Sequence, residues 1–520
     1  MSSIDLAPQA RPAAVGARPF ALRLPLLTLP AVGVALLVVL VIAQAVHGFT
    51  DPDFWWHYKT GEYILAQRSL PGVDIFSFPS AGRAWVAHEW LAETLIYALV
   101  RSGGYGLSLV VFASSPIFAI VLLYRLQKQE GVAANVALAV TALAALMIAP
   151  FTTVRPQVLS WAFFAVLVYV LFAYRAGRIN HLWALPAFFA VWANLHLSFV
   201  LGLGMFSLFV LSQAGTQWLA TRRISVAQPL FVLLASALAT CINPDGPRLL
   251  LTPLSYLPLQ SSFIAPMGLA EWRAPDFHNY LFLPLLGGLM LLLTTGVLDR
   301  RHDLWPAGLG VVTAALALLS VRYIPIFAIA FAPAAGLALA ARWSRARNRG
   351  VAETAPNRAV VHWGLIAIVL ACLAVAVRPT PGSQLRREPR ANPEFLPVDS
   401  VSYIQQNYPN AHIFNQYEWG GYLIYRLWPQ NRPFIDGRGE MFAIPFLKDY
   451  VRVFAVQPGW QQTLQRYDVD LVIVRNDTSL AGALESSPTW RLAHRDTVSV
   501  VYARAEQGPQ TMTTRHQSWQ

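Results

Sequence analysis

The sequence predicts a polytopic α-helical membrane protein with a C-terminal extracytoplasmic α/β domain. Three observations predict it. Of 520 residues, 55% are hydrophobic and only 13% are charged, where an ordinary soluble chain carries roughly 25% charged residues. The mean hydropathy is +0.44. The apolar residues gather into runs near the length that crosses a bilayer, about 20 residues. This composition excludes a disordered chain and argues against a purely soluble enzyme. The net charge of +12 would suit a nucleic-acid partner in a soluble chain. Here the basic residues stand between apolar runs and read as topology signals, so no nucleic-acid partner is expected.

About eleven runs meet the length criterion for transmembrane helices. They are residues 26–46, 107–124, 132–151, 158–174, 182–197, 199–219, 225–242, 280–298, 304–319, 323–341 and 360–377. Arg11, Arg18 and Arg23 precede the first. Arg125 and Lys128 follow the second. Arg175 and Arg178, Arg222 and Arg223, and Arg300 and Arg301 close later even-numbered spans, and Arg342, Arg345, Arg347 and Arg349 follow the tenth. With eleven spans all of these fall on one side, which the positive-inside rule makes cytoplasmic. The expected place is the plasma or inner membrane, with the N-terminus inside and the C-terminal domain outside. Ala43-Gln44-Ala45 resembles a signal-peptidase site, but the apolar run before it is long for a cleaved signal.

The expected layout is a cytoplasmic segment at 1–24, a transmembrane domain at 25–378 with its first external loop at 48–106, an α/β domain at 379–504 and a flexible tail at 505–520. Within the α/β domain, helices are expected at 398–407, 420–427, 446–454 and 460–467, and strands at 412–414, 433–435, 470–474 and 499–503. Cys241 and Cys372 lie far apart in apolar runs, which implies neither a disulfide framework nor a thiolate metal site.

The residues able to carry chemistry cluster outside the spans. The first loop opens Asp51-Pro52-Asp53-Phe54-Trp55-Trp56-His57-Tyr58-Lys59-Thr60-Gly61-Glu62-Tyr63. Two carboxylates one residue apart can ligate a divalent cation or share general-base work. The plainer reading is an interfacial helix with Asp51 or Asp53 as its cap. The loop continues to His88-Glu89 between Trp85 and Trp90, a pair able to bind metal or move a proton, or to form the polar face of a helix on the bundle. Arg155 and Arg322 end apolar runs on the side where cations are disfavoured. A cation at membrane depth is costly, and an obvious use is to grip the phosphate of a lipid carrier; snorkelling to headgroups is the alternative. Asn194-Leu195-His196, Asn243-Pro244-Asp245-Gly246 and Glu271-Trp272-Arg273 are further external polar groups. The α/β domain adds Glu418-Trp419-Gly420-Gly421-Tyr422, suited to a recognition surface, and Asp436-Gly437-Arg438-Gly439-Glu440, readable as a charged turn. No phosphate loop, dinucleotide fingerprint, H-E-x-x-H or nucleophile elbow is present.

The first-loop motif, from Asp53 through Glu62-Tyr63, resembles that of the GT-C membrane glycosyltransferases, and most closely the catalytic subunit of oligosaccharyltransferases, whose loop reads like D-P-W-F-N-Y-R-x-T-E-Y. Tyr417-Glu418-Trp419-Gly420-Gly421-Tyr422 followed by Asp436-Gly437 is similar in order to that subunit's W-W-D-Y-G motif and later D-N pair. His88-Glu89 lies where the family carries a second acidic motif, and Glu271 and Arg322 are loosely similar to its external-loop Glu and late-helix Arg. The resemblance implies a GT-C-like fold and transfer of a sugar from a polyprenyl-phosphate-linked donor to a protein, lipid or glycan acceptor outside the membrane. It makes Asp53 the essential acid. The accompanying reading gives Asp51 a supporting part in catalysis and the donor phosphate to Arg322 and Arg155. His57, His88, Glu89, His196, Glu271 and Trp419 shape the site, and a divalent cation (Mg or Mn) is a candidate cofactor, with Asp53 and Glu89 among its ligands. A transporter or lipid-handling protein without catalytic activity is the alternative, since paired arginines and polar groups also line transport paths. A structural assembly protein whose external domain docks a partner is a third.

Overall fold

The computed structural model describes residues 29–47, 51–259, 263, 267, 269–295, 297, 303–347 and 391–505. Each expected span that falls there is helical: α1 Leu29–His47, the second half of α3 Trp90–Gln129, α4 Ala134–Ile148, α5 Pro156–Arg175, α6 Leu185–Leu195, α7 Phe199–Thr221, α8 Ala227–Ala239, α10 Leu283–Thr294, α11 Leu304–Leu319 and α12 Ile324–Arg347. Among the described residues, five helices are long and apolar enough to cross a membrane, and the other apolar helices are shorter. The expected eleventh span, the segment 1–24 and most of the tail lie outside the described residues.

Among the described residues, two helices lie in loops between the apolar runs. The first is α2, Phe54–Gln67. The second is α9, Arg248–Leu259. The first loop ends inside α3, which kinks at Gly104, where φ is +80°. Glycine reaches that backbone region without a Cβ penalty, so the helix that ends the first loop and the following span run on with a bend between them. Gly61 brings α2 onto α3, because a Cβ there would collide with the Glu93 carbonyl.

The C-terminal domain is a five-stranded sheet in the order β2-β1-β3-β5-β4, with helices around it. Its strands are β1 His412–Asn415, β2 Arg432–Pro433, β3 Leu471–Arg475, β4 Trp490–Arg495 and β5 Ser499–Arg504. β1 lies parallel to β2 and β3, while β5 pairs antiparallel with β3 and β4. The central β3 is buried from Leu471 to Val474, as strands covered on both faces require. The helices are α13 Val398–Asn407, α14 Gly420–Leu427, α15 Ile444–Phe454, α16 Trp460–Arg466 and α17 Ser479–Glu485.

The first loop is the mortar between bundle and domain. Phe54 meets Tyr105 of α3 edge-on at 4.9 Å. Its neighbour Trp55 packs on Tyr422 and Tyr425 of α14 at 5.2 and 4.9 Å. The Trp428 indole donates to the Ile75 carbonyl at 2.9 Å, and the Arg83 side chain to that of Met441 at 2.8 Å. One apolar core therefore runs from the membrane helices through α2 into the sheet domain, and a second joins Phe76 and Trp85 to Phe414 and Phe434.

Candidate active site

Asp53 stands at the N-terminus of α2 but spends no side-chain hydrogen bond on capping it. Asp51 holds the turn just before the helix, its side chain accepting the Asp53 amide at 2.9 Å. The Asp53 carboxylate instead accepts from the Trp56 indole at 3.1 Å and from the Arg155 guanidinium. Arg155 is held in extended backbone just before α5, with Pro156 opening the helix. It also donates to Glu271 at 2.7 and 3.3 Å and lies 3.5 Å from Asp51. Three carboxylates thus converge on one guanidinium from three separate segments. Burial pushes Asp53 up to about 7; Arg155 opposes the rise, while Asp51 and Glu271 add to it. Burial also disfavours charge on Glu271, but Arg155 and Arg322 outweigh it and draw the group down to about 2.

Arg322 follows α11 in the short turn before α12, and the Glu271 loop is stitched to that turn. The Ser320 hydroxyl donates to the Glu271 carbonyl at 2.8 Å, and the Val321 amide to that of Arg273 at 2.9 Å. Arg322 lies 3.6 Å from Glu271 and 4.9 Å from the centre of the Trp272 ring. Its contact with Glu271 is longer than those of Arg155, and the fork of donors on a guanidinium suits an oxyanion.

A second polar cluster sits one turn along α2. The His57 Nδ1 is 3.2 Å from Glu93 and 3.6 Å from Glu89. Glu89 is in turn 3.2 Å from His196 and 3.8 Å from His88. Burial, reinforced by Arg155, holds His57 well below the ordinary imidazole range, so the neutral ring prevails. Burial also raises Glu89. The ligand atoms of His57, Glu89 and Glu93 all lie within 4.8 Å of one another. Asn194 takes a different course, accepting from the Trp90 indole at 3.0 Å and donating to the Ile242 carbonyl at 2.8 Å. Asn243 forms the turn its sequence suggests, accepting the Asp245 amide at 2.8 Å.

The sheet domain closes the site. Gly437 lies against Asp53; a Cβ there would collide with the Asp53 carboxylate and stand 2.7 Å from the Trp56 indole nitrogen. The Tyr417 hydroxyl donates to the Gly437 carbonyl at 3.3 Å. A polar cavity of about 80 Å³ is lined by Asp53, His57, Glu89, Arg155, Glu271 and Arg322 together with Tyr417, Gly437 and Glu440. Beside it lies a larger, mainly apolar cavity of about 190 Å³. His88, Glu89, Trp272 and Arg322 belong to both walls, and His196 faces the apolar one.

Most residues singled out in the sequence therefore meet around one cavity. Asp51 adjoins it through Arg155. Trp419 does not line it; its indole donates to the Phe395 carbonyl at 2.9 Å, beside a separate cavity of about 250 Å³ that Pro52 and Glu418 also line. Glu93, Tyr417 and Glu440 were not anticipated as site residues. Glu93 had a signal, since it follows Glu89 by four residues at the start of a helix and must share its face.

No protein-family model matches the sequence, and no curated protein matches it. Solved structures do match in fold. The Archaeoglobus fulgidus oligosaccharyltransferase tethered to an acceptor peptide containing the NVT sequon superposes with a TM-score of 0.52, at 13% identity, over 85% of this chain and 68% of that one. The same enzyme in complex with an inhibitory peptide and a dolichol-phosphate gives 0.50 at 12% identity, over 85% and 69%. At such identities the likeness is one of fold alone.

Proposed function

From this fold and this cavity, we propose that the chain is an integral-membrane glycosyltransferase. It moves a sugar from a polyprenyl-phosphate-linked donor to an acceptor on the extracytoplasmic face. The observation that carries the reading is the shared wall of the two cavities. A lipid-linked sugar needs an apolar chamber for the first isoprene units, a cation at the phosphate and an acid–base group at the sugar. The apolar cavity, Arg322 and Asp53 supply these in that order. The arrangement also supports an active face opposite the arginine-rich loops, hence a cytoplasmic N-terminus and an extracytoplasmic sheet domain.

In the reaction, an acceptor oxygen attacks the anomeric carbon. The bond from that carbon to the phosphate oxygen breaks, and the phosphate leaves with the electron pair. Asp53 takes the acceptor proton. Arg322 stabilises the charge that grows on the leaving phosphate. The phosphate role rests mainly with Arg322, because Arg155 already holds Asp51, Asp53 and Glu271. Arg155 instead fixes the direction of the base and tunes its affinity for the proton. The acceptor is a protein, lipid or glycan group approaching between the first loop and the sheet domain.

The test is transfer in proteoliposomes from a panel of radiolabelled polyprenyl-phosphate and polyprenyl-diphosphate sugars, comparing the native chain with Asp53→Asn. Turnover of one donor by the native chain, lost in the variant, is the expected outcome. Folded protein that turns over no donor would transfer the weight to lipid transport without chemistry.

A further inference from the structure

We propose that His57, Glu89 and Glu93 form a binding site for one divalent transition cation, of the zinc or manganese class, set behind the wall of the polar cavity. The donor atoms are spaced for it. Metal–ligand bonds of about 2.0–2.1 Å in a tetrahedron put neighbouring donors about 3.3 Å apart. Here the imidazole nitrogen is 3.2 Å from Glu93 and 3.6 Å from Glu89. One oxygen of Glu93 is buried without a hydrogen-bond partner, on a residue only 1% exposed. A buried carboxylate oxygen left unpaired is costly, and a cation would satisfy it.

The charge balance points the same way. Among the described residues, the ion-pair partners of Glu89 and Glu93 are all histidines. Neither carboxylate has an arginine or lysine at ion-pair distance among the described residues, so a bound cation would be the group that pairs them. The acidic group of Asp51, Asp53 and Glu271 differs in this respect, because the Arg155 guanidinium already fills its centre. The ligand set is fixed by backbone. Glu89 and Glu93 are one turn apart at the start of α3, His57 is one turn before Gly61 on α2, and Gly61 lets the two helices touch. His57 and Glu89 also line the cavity, which leaves the cation an open face. Mixed imidazole and carboxylate donors favour zinc or manganese over the all-oxygen preference of magnesium. The site stands whether or not the chain transfers a sugar.

The experiment uses the full chain in detergent, stripped with a chelator and then equilibrated with Zn²⁺, Mn²⁺ or Mg²⁺. Bound metal is counted by mass spectrometry, and its ligands are read by X-ray absorption. The expected result is one Zn²⁺ or Mn²⁺ per chain with an imidazole scattering signature. Glu93→Gln should weaken binding by roughly 10-fold or more, while Asp53→Asn should bind as the native chain does. Three results would overturn the site: no stoichiometric metal in the native chain, binding of Mg²⁺ alone, or loss of metal in Asp53→Asn with retention in Glu93→Gln. If Glu93→Gln does not fold, the native count and spectrum decide.

Discussion

Asp53 is fixed by two donors, the Trp56 indole and the Arg155 guanidinium, yet burial and two neighbouring carboxylates hold its pKa near 7. A general base works best when its pKa lies near the operating pH. A base must be unprotonated, so transfer should rise with pH along a limb centred near 7 and fall away in acid. The groups that face Asp53 are Asp51, Arg155, Glu271 and Tyr417, and of these Arg155 is the one that eases its ionisation. Replacing Arg155 by Gln removes that cation, so the limb should move to higher pH. Asp53→Asn should lose about 10²-fold or more in kcat, and its residual rate should lack the limb. A pH–rate series on the three proteins checks all of this; an unmoved limb in Arg155→Gln would sink the coupling. Arg322→Lys keeps the charge but loses the fork. It should raise KM for the lipid donor more than it lowers kcat, which saturation curves would report.

The contact between α2 and α3 is the element on which both polar clusters depend. It aims His57 at Glu93 and turns Asp53 toward the cavity. Gly61→Ala would drive a methyl group into the Glu93 carbonyl, which belongs to backbone and cannot swing aside. The cost should be about 1–3 kcal/mol, seen as a lower Tm in detergent, while Gly72→Ala, where a Cβ would meet nothing within 4 Å, should be near neutral. At this scale much was legible in the sequence. Apolar runs marked the membrane helices, and the pattern from Asp53 to Tyr63 marked α2 as special. The helix Ser479–Glu485 and the strand Trp490–Arg495 were not anticipated. The strand lies at the sheet edge and mixes charged with apolar residues, so alternation gives little signal there. Two further features could not be read locally. Arg155 and Glu271 meet across more than a hundred residues, and only the closed fold brings them to one carboxylate. The Asp436–Glu440 segment read as a charged turn because its partner, Asp74, lies far away in the first loop.

That partnership ties the whole molecule together. Arg438 is fully buried between two carboxylates, donating to Asp436 at 2.7 and 2.6 Å and lying 2.9 Å from Asp74. Its guanidinium also faces Trp85 at 4.4 Å and Phe76 at 5.1 Å. Asp436 belongs to the sheet domain, whereas Asp74, Phe76 and Trp85 belong to the first loop, so one cation locks the two parts. Gly437, between Asp436 and Arg438, is the residue that rests on Asp53. The lock and the proposed base, Asp53, are therefore set by one stretch of chain. Arg438→Met keeps much of the volume but leaves two buried carboxylates without their cation, a change that costs about 3–5 kcal/mol when one partner of a buried pair is removed. The expected outcome is a markedly lower Tm, faster proteolysis between the bundle and the sheet domain, and lower kcat even where the protein stays folded. Arg466, more than half exposed beside Asp449, is the control, because an exposed pair contributes about 0–1 kcal/mol. Arg466→Met should leave Tm and transfer nearly unchanged. If Arg438→Met and Arg466→Met behaved alike, the buried arginine would not be what holds the sheet domain over the acid.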